Sequence, residues 1–492
     1  MPIALAFGLV ALVGALATIG SWHTPAVGPM PSGQRIADGV VLSYEASDGA
    51  TAIVAEIRGL RLQPGGVRET LWVAREPFEK SDFEALGRGA ALGEISPDGR
   101  FVSWLATKER GHSTGPGRLR GVEKDAPVID ARALLPPVLF DGSRAAALTA
   151  YQASAGRGTL MHVDFDAGTS KILSPNIPGG GFGLLDGGRT FALRRPYSAV
   201  NAEAVVLGPA ISPAIPLTAN VDVDGPPPAF RIAPDRRAVT MRLAPDADGR
   251  RALVRWKDGV AGLAPVAPDA AAWTLDRDGV AWWVAVENGA VRAYREGAEL
   301  LGEIAGRDPV SVHPLPASTG VWVALADRPC IAEPAPTPVS GGAAIVESLA
   351  RERGVCTRLV VVGVGDAPPV VEGLRRVAAA PEGWPVALIG PVGGHPALIA
   401  VGDPRVPLVV EDGSLLSTVF SRDGRFVGAR LDADDGERIV LVDLTKATTT
   451  LLAEQAPESL MSWNGDVLVY AWRNRWWRSD PRNGLYRVRP AD

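Results

Sequence analysis

The sequence predicts an all-β protein, folded as one closed array of short antiparallel strands, and three observations carry that expectation. The 492 residues include 56 glycines and 42 prolines, about one residue in five. That is too many for helices, whose interiors both residues weaken, and it suits short strands joined by turns. A turn containing Asp-Gly or a near equivalent recurs at a nearly constant spacing. After each turn, apolar and polar residues alternate with the period of two that marks a half-buried strand.

Composition bounds the function classes. Hydrophobic residues at 46% and charged residues at 21% supply a core and exclude intrinsic disorder. A formal charge of -5 leaves no excess of basic residues to displace counterions from phosphates, so no nucleic-acid partner is expected.

In chain order, residues 1–20 come first and contain no charged side chain. The run from Ile3 onward is expected to form an apolar helix that acts as a signal peptide or a membrane anchor, giving possible membrane association through residues 3–20. Ala15-Leu16-Ala17 offers a small-x-small cleavage site, whereas Met1-Pro2 lacks the Lys or Arg that would set orientation. Residues 21–37, with Pro25, Gly28, Pro29, Pro31 and Gly33, read as a linker. The remainder, 38–492, reads as the repetitive array.

The clearest turns are Ser96-Pro97-Asp98-Gly99-Arg100 and Ser421-Arg422-Asp423-Gly424-Arg425, each followed by Phe-Val. Asp98, Asp141, Asp186, Asp235 and Asp278 are spaced by 43, 45, 49 and 43 residues, and Glu382, Asp423 and Asn464 continue at 41 and 41. The gap of 104 between Asp278 and Glu382 holds a degenerate copy at Ser318-Thr319-Gly320 and an insertion at about 327–357. Val102, Trp104 and Ala106 share one strand face, as do Val239, Met241 and Leu243. Further apolar runs such as Ile439–Leu444 supply more strands to each unit. Three or four strands every 40 to 45 residues is the signature of a propeller blade, which buries its faces only against neighbouring blades in a ring.

The two Ser-x-Asp-Gly-Arg-Phe-Val copies resemble the repeat of TolB-like propellers, a WD-related group, over roughly residues 90–492. The resemblance implies a single β-propeller of four-stranded antiparallel blades, eight being expected within a range of seven to ten. It also implies that the Asp-Gly turns are structural; because the repeats leave no stretch long enough for it, the peptidase domain that accompanies such propellers in prolyl-oligopeptidase-type enzymes is expected to be absent. The last unit, with Val467–Trp472 and Leu485–Arg489, lacks an outer strand, which Val40–Glu45 or Thr51–Ile57 is expected to supply.

Cys330 and Cys356 flank the insertion. In an oxidising compartment they are expected to form a disulfide closing a loop of about 25 residues, a constraint of roughly 3 kcal/mol; two separate buried thiols are the alternative. Gly111-His112-Ser113-Thr114-Gly115 matches a nucleophile elbow, with His162, His313 and His395 as possible bases. Its flanks fit a hairpin loop instead of the required strand-to-helix turn. Asn220-Val221-Asp222-Val223-Asp224-Gly225 resembles the opening of a calcium loop but has Arg231 where the bidentate Glu belongs. Gly179-Gly180-Gly181 lacks the context of a phosphate loop. No catalytic residue is assigned, and no cofactor or metal is expected. Near the C-terminus, Arg473, Arg475, Trp476, Trp477 and Arg478 form a candidate interaction surface, since Arg and Trp are enriched at interfaces.

The function expected is a non-catalytic propeller, exported or anchored facing the periplasm or extracellular side, acting as a protein-binding scaffold of the cell envelope. The alternative is a propeller hydrolase or lyase with its site at the mouth of the central channel.

Overall fold

The computed structural model describes residues 28–490, apart from 59–69, 108–113, 197–198, 209–213, 224–227, 315–319, 330–354, 363–369, 380–384, 390–397, 401–413, 422–424, 456–458, 475–479 and a few shorter gaps. The described residues form eight antiparallel sheets and only three short 3-10 turns. Sheet 1 begins with Val40–Ala46, sheet 2 with Ala91–Ile95, sheet 3 with Phe182–Leu184 and sheet 4 with Phe230–Ile232. Sheets 5, 6, 7 and 8 begin with Ala272–Leu275, Pro309–Pro314, Ser414–Phe420 and Leu460–Asn464. Six of them are four-stranded, while sheet 2 has seven strands and sheet 6 has six.

Among the described residues, sheets bury their faces against their sequence neighbours. Val54, Leu71 and Val73 of sheet 1 pack on Ile95, Val102 and Trp104 of sheet 2. Phe191 and Val206 of sheet 3 meet Val239, Met241 and Trp256 of sheet 4, and Trp282 and Val284 of sheet 5 meet Val312 and Val323 of sheet 6. Ile439 of sheet 7 packs with Leu468, Tyr470 and Trp472 of sheet 8. Sheet 8 then returns to sheet 1, where Val467 and Val469 contact the cluster of Val41, Ile53 and Ile57. Fully burying each such side chain is worth about 1.5–3 kcal/mol, so sheet-on-sheet packing is the main stabilising term. The first strands of sheets 1 and 2, 5 and 6, 7 and 8, and 8 and 1 touch one another, while the last strands of sheets 3 and 7 are mostly exposed, so the first strands gather around a common axis. The arrangement is a β-propeller.

Ring closure differs in detail from the sequence expectation. The strand that completes sheet 8 is Gln34–Asp38, which pairs antiparallel with Gly484–Val488 in a register from Gln34 opposite Arg487 to Asp38 opposite Gly484. Val40–Ala46 and Ala52–Arg58 instead open sheet 1. Residues 34–37 are therefore sheet, although they sit at the end of the stretch that reads as a linker. The expected apolar helix at 1–20 lies outside the described residues, and no helix among the described residues is long and apolar enough to cross a membrane.

Sheets 2 and 6 are double. Strand Ile129–Asp141 pairs through Ile129–Leu134 with Gly115–Gly121, and through Leu135–Asp141 with Arg144–Gln152 on its other side. Pro136 and Pro137 sit just past the switch, where residues without an N–H can be accommodated because the strand is changing partners. Strand Val370–Ala379 repeats the device, with Val370 and Val371 facing Val355–Val362 and Arg376–Ala379 facing Pro385–Ile389.

The repeated turn is structural, as its sequence implies. Ser96 Oγ accepts the N–H groups of Arg100 and Phe101 at 3.1 and 2.9 Å, and Asp98 takes the Ser96 hydroxyl at 2.6 Å and Arg100 Nε at 2.7 Å. Gly99 lies at φ +70° between them. In the second copy, Ser421 Oγ accepts Phe426 N–H at 2.8 Å in the same way. Arginines on third strands then tie neighbouring sheets together. Arg75 donates to the Gly99 carbonyl at 3.2 Å, and Arg255 to the Gly279 carbonyl at 3.0 Å.

Candidate functional site in the central channel

Because first strands gather at the axis, the polar residues they carry line the channel. On Val40–Ala46, Tyr44 turns toward sheet 8, donating to the Val469 carbonyl at 2.7 Å and accepting from Ser462 Oγ at 3.1 Å. Alternation turns Glu45 the other way. Glu45 stays open to solvent yet is walled in by protein, and this burial raises its pKa. On Ala91–Ile95, Ile95 packs on sheet 1, so Glu94 points toward the strand beyond. There its Oε2 accepts Val138 N–H at 2.7 Å and Ser103 Oγ at 3.3 Å. Burial pushes Glu94 up to about 7, the charge of Glu45 adds to the rise, and the hydrogen bonds from Val138 and Ser103 oppose it.

A second group faces the channel from sheets 4 and 6. Phe230 and Ile232 pack onto sheet 3, against Phe191 and Gly183, which leaves Arg231 on the opposite face of its strand. Arg231 is solvent-accessible but enclosed, and desolvation lowers its pKa. On Pro309–Pro314, Val312 packs on sheet 5, and Ser311 and His313 alternate with it. Ser311 Oγ lies 2.8 Å from His313 Nε2. Burial first, and the Arg231 charge second, push His313 down to about 4, so its imidazole is neutral at pH 7. The channel thus holds two acids on sheets 1 and 2, one of them titrating near neutrality, a cation on sheet 4 and a neutral imidazole on sheet 6. Chemically, Glu94 is the group that can gain or lose a proton near neutrality, and Arg231 is the group that can meet an anion. Among the described residues no group of three His, Cys, Asp or Glu side chains is placed to share a metal ion.

The residues singled out in the sequence fall elsewhere, His313 excepted. Arg473 is not part of an exposed surface: it is buried, and its Nη1 donates to the carbonyls of Val41 and Leu42 at 3.3 and 3.2 Å, tying sheet 8 to sheet 1. Arg475, Trp476, Trp477 and Arg478 lie outside the described residues. Nearby, Arg482 is buried against Asp480 at 2.9 Å with its guanidinium 4.4 Å from the Trp472 ring centre. Cys330 and the side chain of Cys356 are likewise outside the description. The strands flanking them do pair antiparallel, with Pro329 opposite Val355 and Asp327 opposite Cys356.

His112 and Ser113 of the elbow-like motif, and His395, are not described, while His162 lies buried in the strand Arg157–Asp164. Asp222 of the calcium-like motif is engaged by Arg242 at 3.4 Å and Arg251 at 3.2 Å, an ion triad in which Asp222 and Arg242 are buried and Arg251 reaches solvent. Gly180 takes φ +72° in the link between sheets 2 and 3, as expected for a loop. Glu45, Glu94 and Arg231 were not foreseen as site residues. The available signal was a charge inside a short apolar strand directly ahead of a repeated turn, as in Ala91-Leu92-Gly93-Glu94-Ile95 and Phe230-Arg231-Ile232.

No family model and no curated protein matches the chain. Solved structures similar to it include a eukaryotic initiation factor, at 11% identity and TM-score 0.44 over 78% of this chain and 93% of that one. The Dos1 propeller is similar at 11% identity and TM-score 0.34, over 81% and 92%. The β-propeller domain of the Trilobed protease from Pyrococcus furiosus is similar at 9% identity and TM-score 0.29, over 68% and 95%. Likeness at this level carries no argument about activity.

Proposed function

We propose that the chain is a non-catalytic, TolB-like propeller that binds a partner protein at its channel face and acts as a scaffold in the cell envelope, exported or anchored through residues 1–20. The observation that carries the binding reading is the polar channel wall, with Glu45 and Glu94 on one arc and Arg231 and His313 on another, set on the first strands of their sheets. Ten repeating units are inferred, because two of the eight sheets are double. A Cys330–Cys356 disulfide at the base of the insertion accords with the antiparallel strands flanking it and with an oxidising compartment.

The test is affinity capture of the native protein, with N-terminal sequencing, beside the double variant Glu45→Lys, Arg231→Glu. A specific partner retained by the native chain and lost by the variant supports the reading. Capture of the same partner by both moves the interface away from the channel. A second reading, a channel-mouth hydrolase or lyase, is favoured by the pairing of Glu45 with a Glu94 that titrates near neutrality. It predicts turnover of a chromogenic ester or glycoside that Glu94→Gln abolishes at unchanged fold.

A further inference from the structure

The outermost strand of each sheet leaves one edge without a strand beside it, and such an edge invites pairing with another chain unless something guards it. Sheet 2 ends on Thr169–Pro178, with Lys171 and Pro175, sheet 3 on Ile215–Val221, with Pro216, and sheet 4 on Ala264–Ala267, with Pro265. Sheets 1, 5 and 8 end on Glu84–Arg88, Leu300–Ala305 and Gln34–Asp38, which carry charges at Glu84 and Arg88, at Glu303, and at Arg35 and Asp38. Sheet 6 ends on Leu398–Ala400, only three residues long. Among the described sheets, sheet 7 alone ends on a longer strand with neither proline nor charge, Thr448–Ala453. Its three threonines are β-branched and favour extended backbone. Thr448, Thr449, Thr450 and Leu451 are exposed, Leu451 to 45%. At its far end the strand already takes a backbone partner, since the Leu452 carbonyl accepts Ser32 N–H at 2.8 Å. The stretch 448–451 is left with its side chains in solvent.

We propose that this edge pairs antiparallel with the same edge of a second copy of the chain, Thr449 facing Thr449 across a two-fold axis. An antiparallel pair of identical strands is self-complementary, as a two-fold contact requires. This register sets Thr448 opposite Thr450, so only threonines meet at the centre, a favourable cross-strand pairing in which no like charges oppose one another. The flanks carry complementary charge. Lys446 precedes the strand, its side chain 53% exposed and only loosely held by Asp443 at 4.0 Å, and Glu454 follows it. In the antiparallel pair each Lys446 falls opposite Leu452 of the other copy, one diagonal step from that copy's Glu454 and within reach of a long side chain. The register also ends where Ser32 begins, so the hydrogen bond from Ser32 to Leu452 is kept. The ladder is short, which places the contact among weak, concentration-dependent ones. It lies on the rim of sheet 7 and is independent of the channel-face reading above.

The experiment is sedimentation of the full chain over a concentration series, beside Thr449→Lys and Thr449→Glu. The native chain should rise with concentration from the 51.5 kDa of one copy toward twice that mass. Either variant sets two like charges directly opposite each other at the axis and should weaken the association at least tenfold. An equimolar mixture of the two variants sets Lys against Glu and should recover at least tenfold over either variant alone. That recovery requires both variants to be folded, so a loss caused by misfolding is told apart from a loss of pairing.

A native chain that keeps the mass of one copy up to millimolar concentration overturns the second copy as occupant, whether or not the edge takes a strand from another protein. Association that both variants leave unchanged places the contact elsewhere and overturns the proposal, association through the N-terminal residues included, because all three chains share them. Association lost in both variants and not recovered in their mixture overturns the two-fold register at Thr449.

Discussion

At Glu94, one carboxyl joins two units of the ring: it is anchored on the first strand of sheet 2 and accepts Val138 N–H from the strand Ile129–Asp141. Burial raises its pKa from 4.5 to about 7, so the folded state holds this proton more tightly than the unfolded chain does. Between those values the native state binds more protons, and stability contributed by this group falls as pH rises, levelling above pH 7. The swing amounts to about 3 kcal/mol by linkage. Glu94→Gln keeps an oxygen for Val138 and cannot ionise. Urea unfolding at pH 5, 6, 7 and 8 should show the variant gaining on the native protein as pH rises, with the gap largest at pH 8. A gap that stays constant with pH would mean that Glu94 is ionised in the fold.

At the scale of the element, the repeated turn sets how strands leave and re-enter each sheet. Gly99 combines φ +70° with a crowded site, since a Cβ there would meet Ala52 Cβ of sheet 1 at 3.0 Å. Gly156, in the hairpin between Arg144–Gln152 and Arg157–Asp164, has φ +64° and nothing within 4 Å. Gly156→Ala should therefore lose only the backbone term of about 1 kcal/mol, and Gly99→Ala about 2 kcal/mol, because the contact with sheet 1 must also give. Chemical denaturation midpoints compare them directly, and equal losses would show that the inter-sheet contact is soft. These turns were legible in the sequence because Ser, Asp and Gly perform their roles within five residues of one another. The double sheets were not, since Pro136-Pro137 reads locally as a break, and only a partner on each side shows that one strand runs through it. Glu45, Glu94 and Arg231 stayed hidden for a related reason. Whether a charge in a short strand faces bulk water or a channel depends on which strand of the sheet is innermost, and that is fixed by contacts more than 40 residues away in sequence, as between Glu94 and Val138.

For the molecule as a whole, the decisive contact joins the two ends of the described chain. Gln34–Asp38 has only Ile36 and Ala37 as apolar residues and follows a Pro/Gly-rich stretch, so composition does not mark it as a strand; its role comes from the open edge of Gly484–Val488. Ile36 is buried in the cluster joining sheets 8 and 1, and Tyr470 Oη donates to the Ser32 carbonyl just ahead of it. Removing this strand forfeits one buried isoleucine and a short ladder, about 3–5 kcal/mol in all. It also leaves Gly484–Val488 as an exposed edge, a template for pairing with another chain. Sheets 8 and 1 would still be tied by Arg473 and by Tyr44, so the ring should open at its rim before it comes apart. A chain starting at residue 39 is therefore expected to fold, unfold at lower denaturant than a chain starting at residue 28, and associate as its concentration rises. Light scattering coupled to size exclusion reads the association. A monomer of unchanged stability would show that closure of this ring rests on the sheet faces and not on the strand that joins its ends.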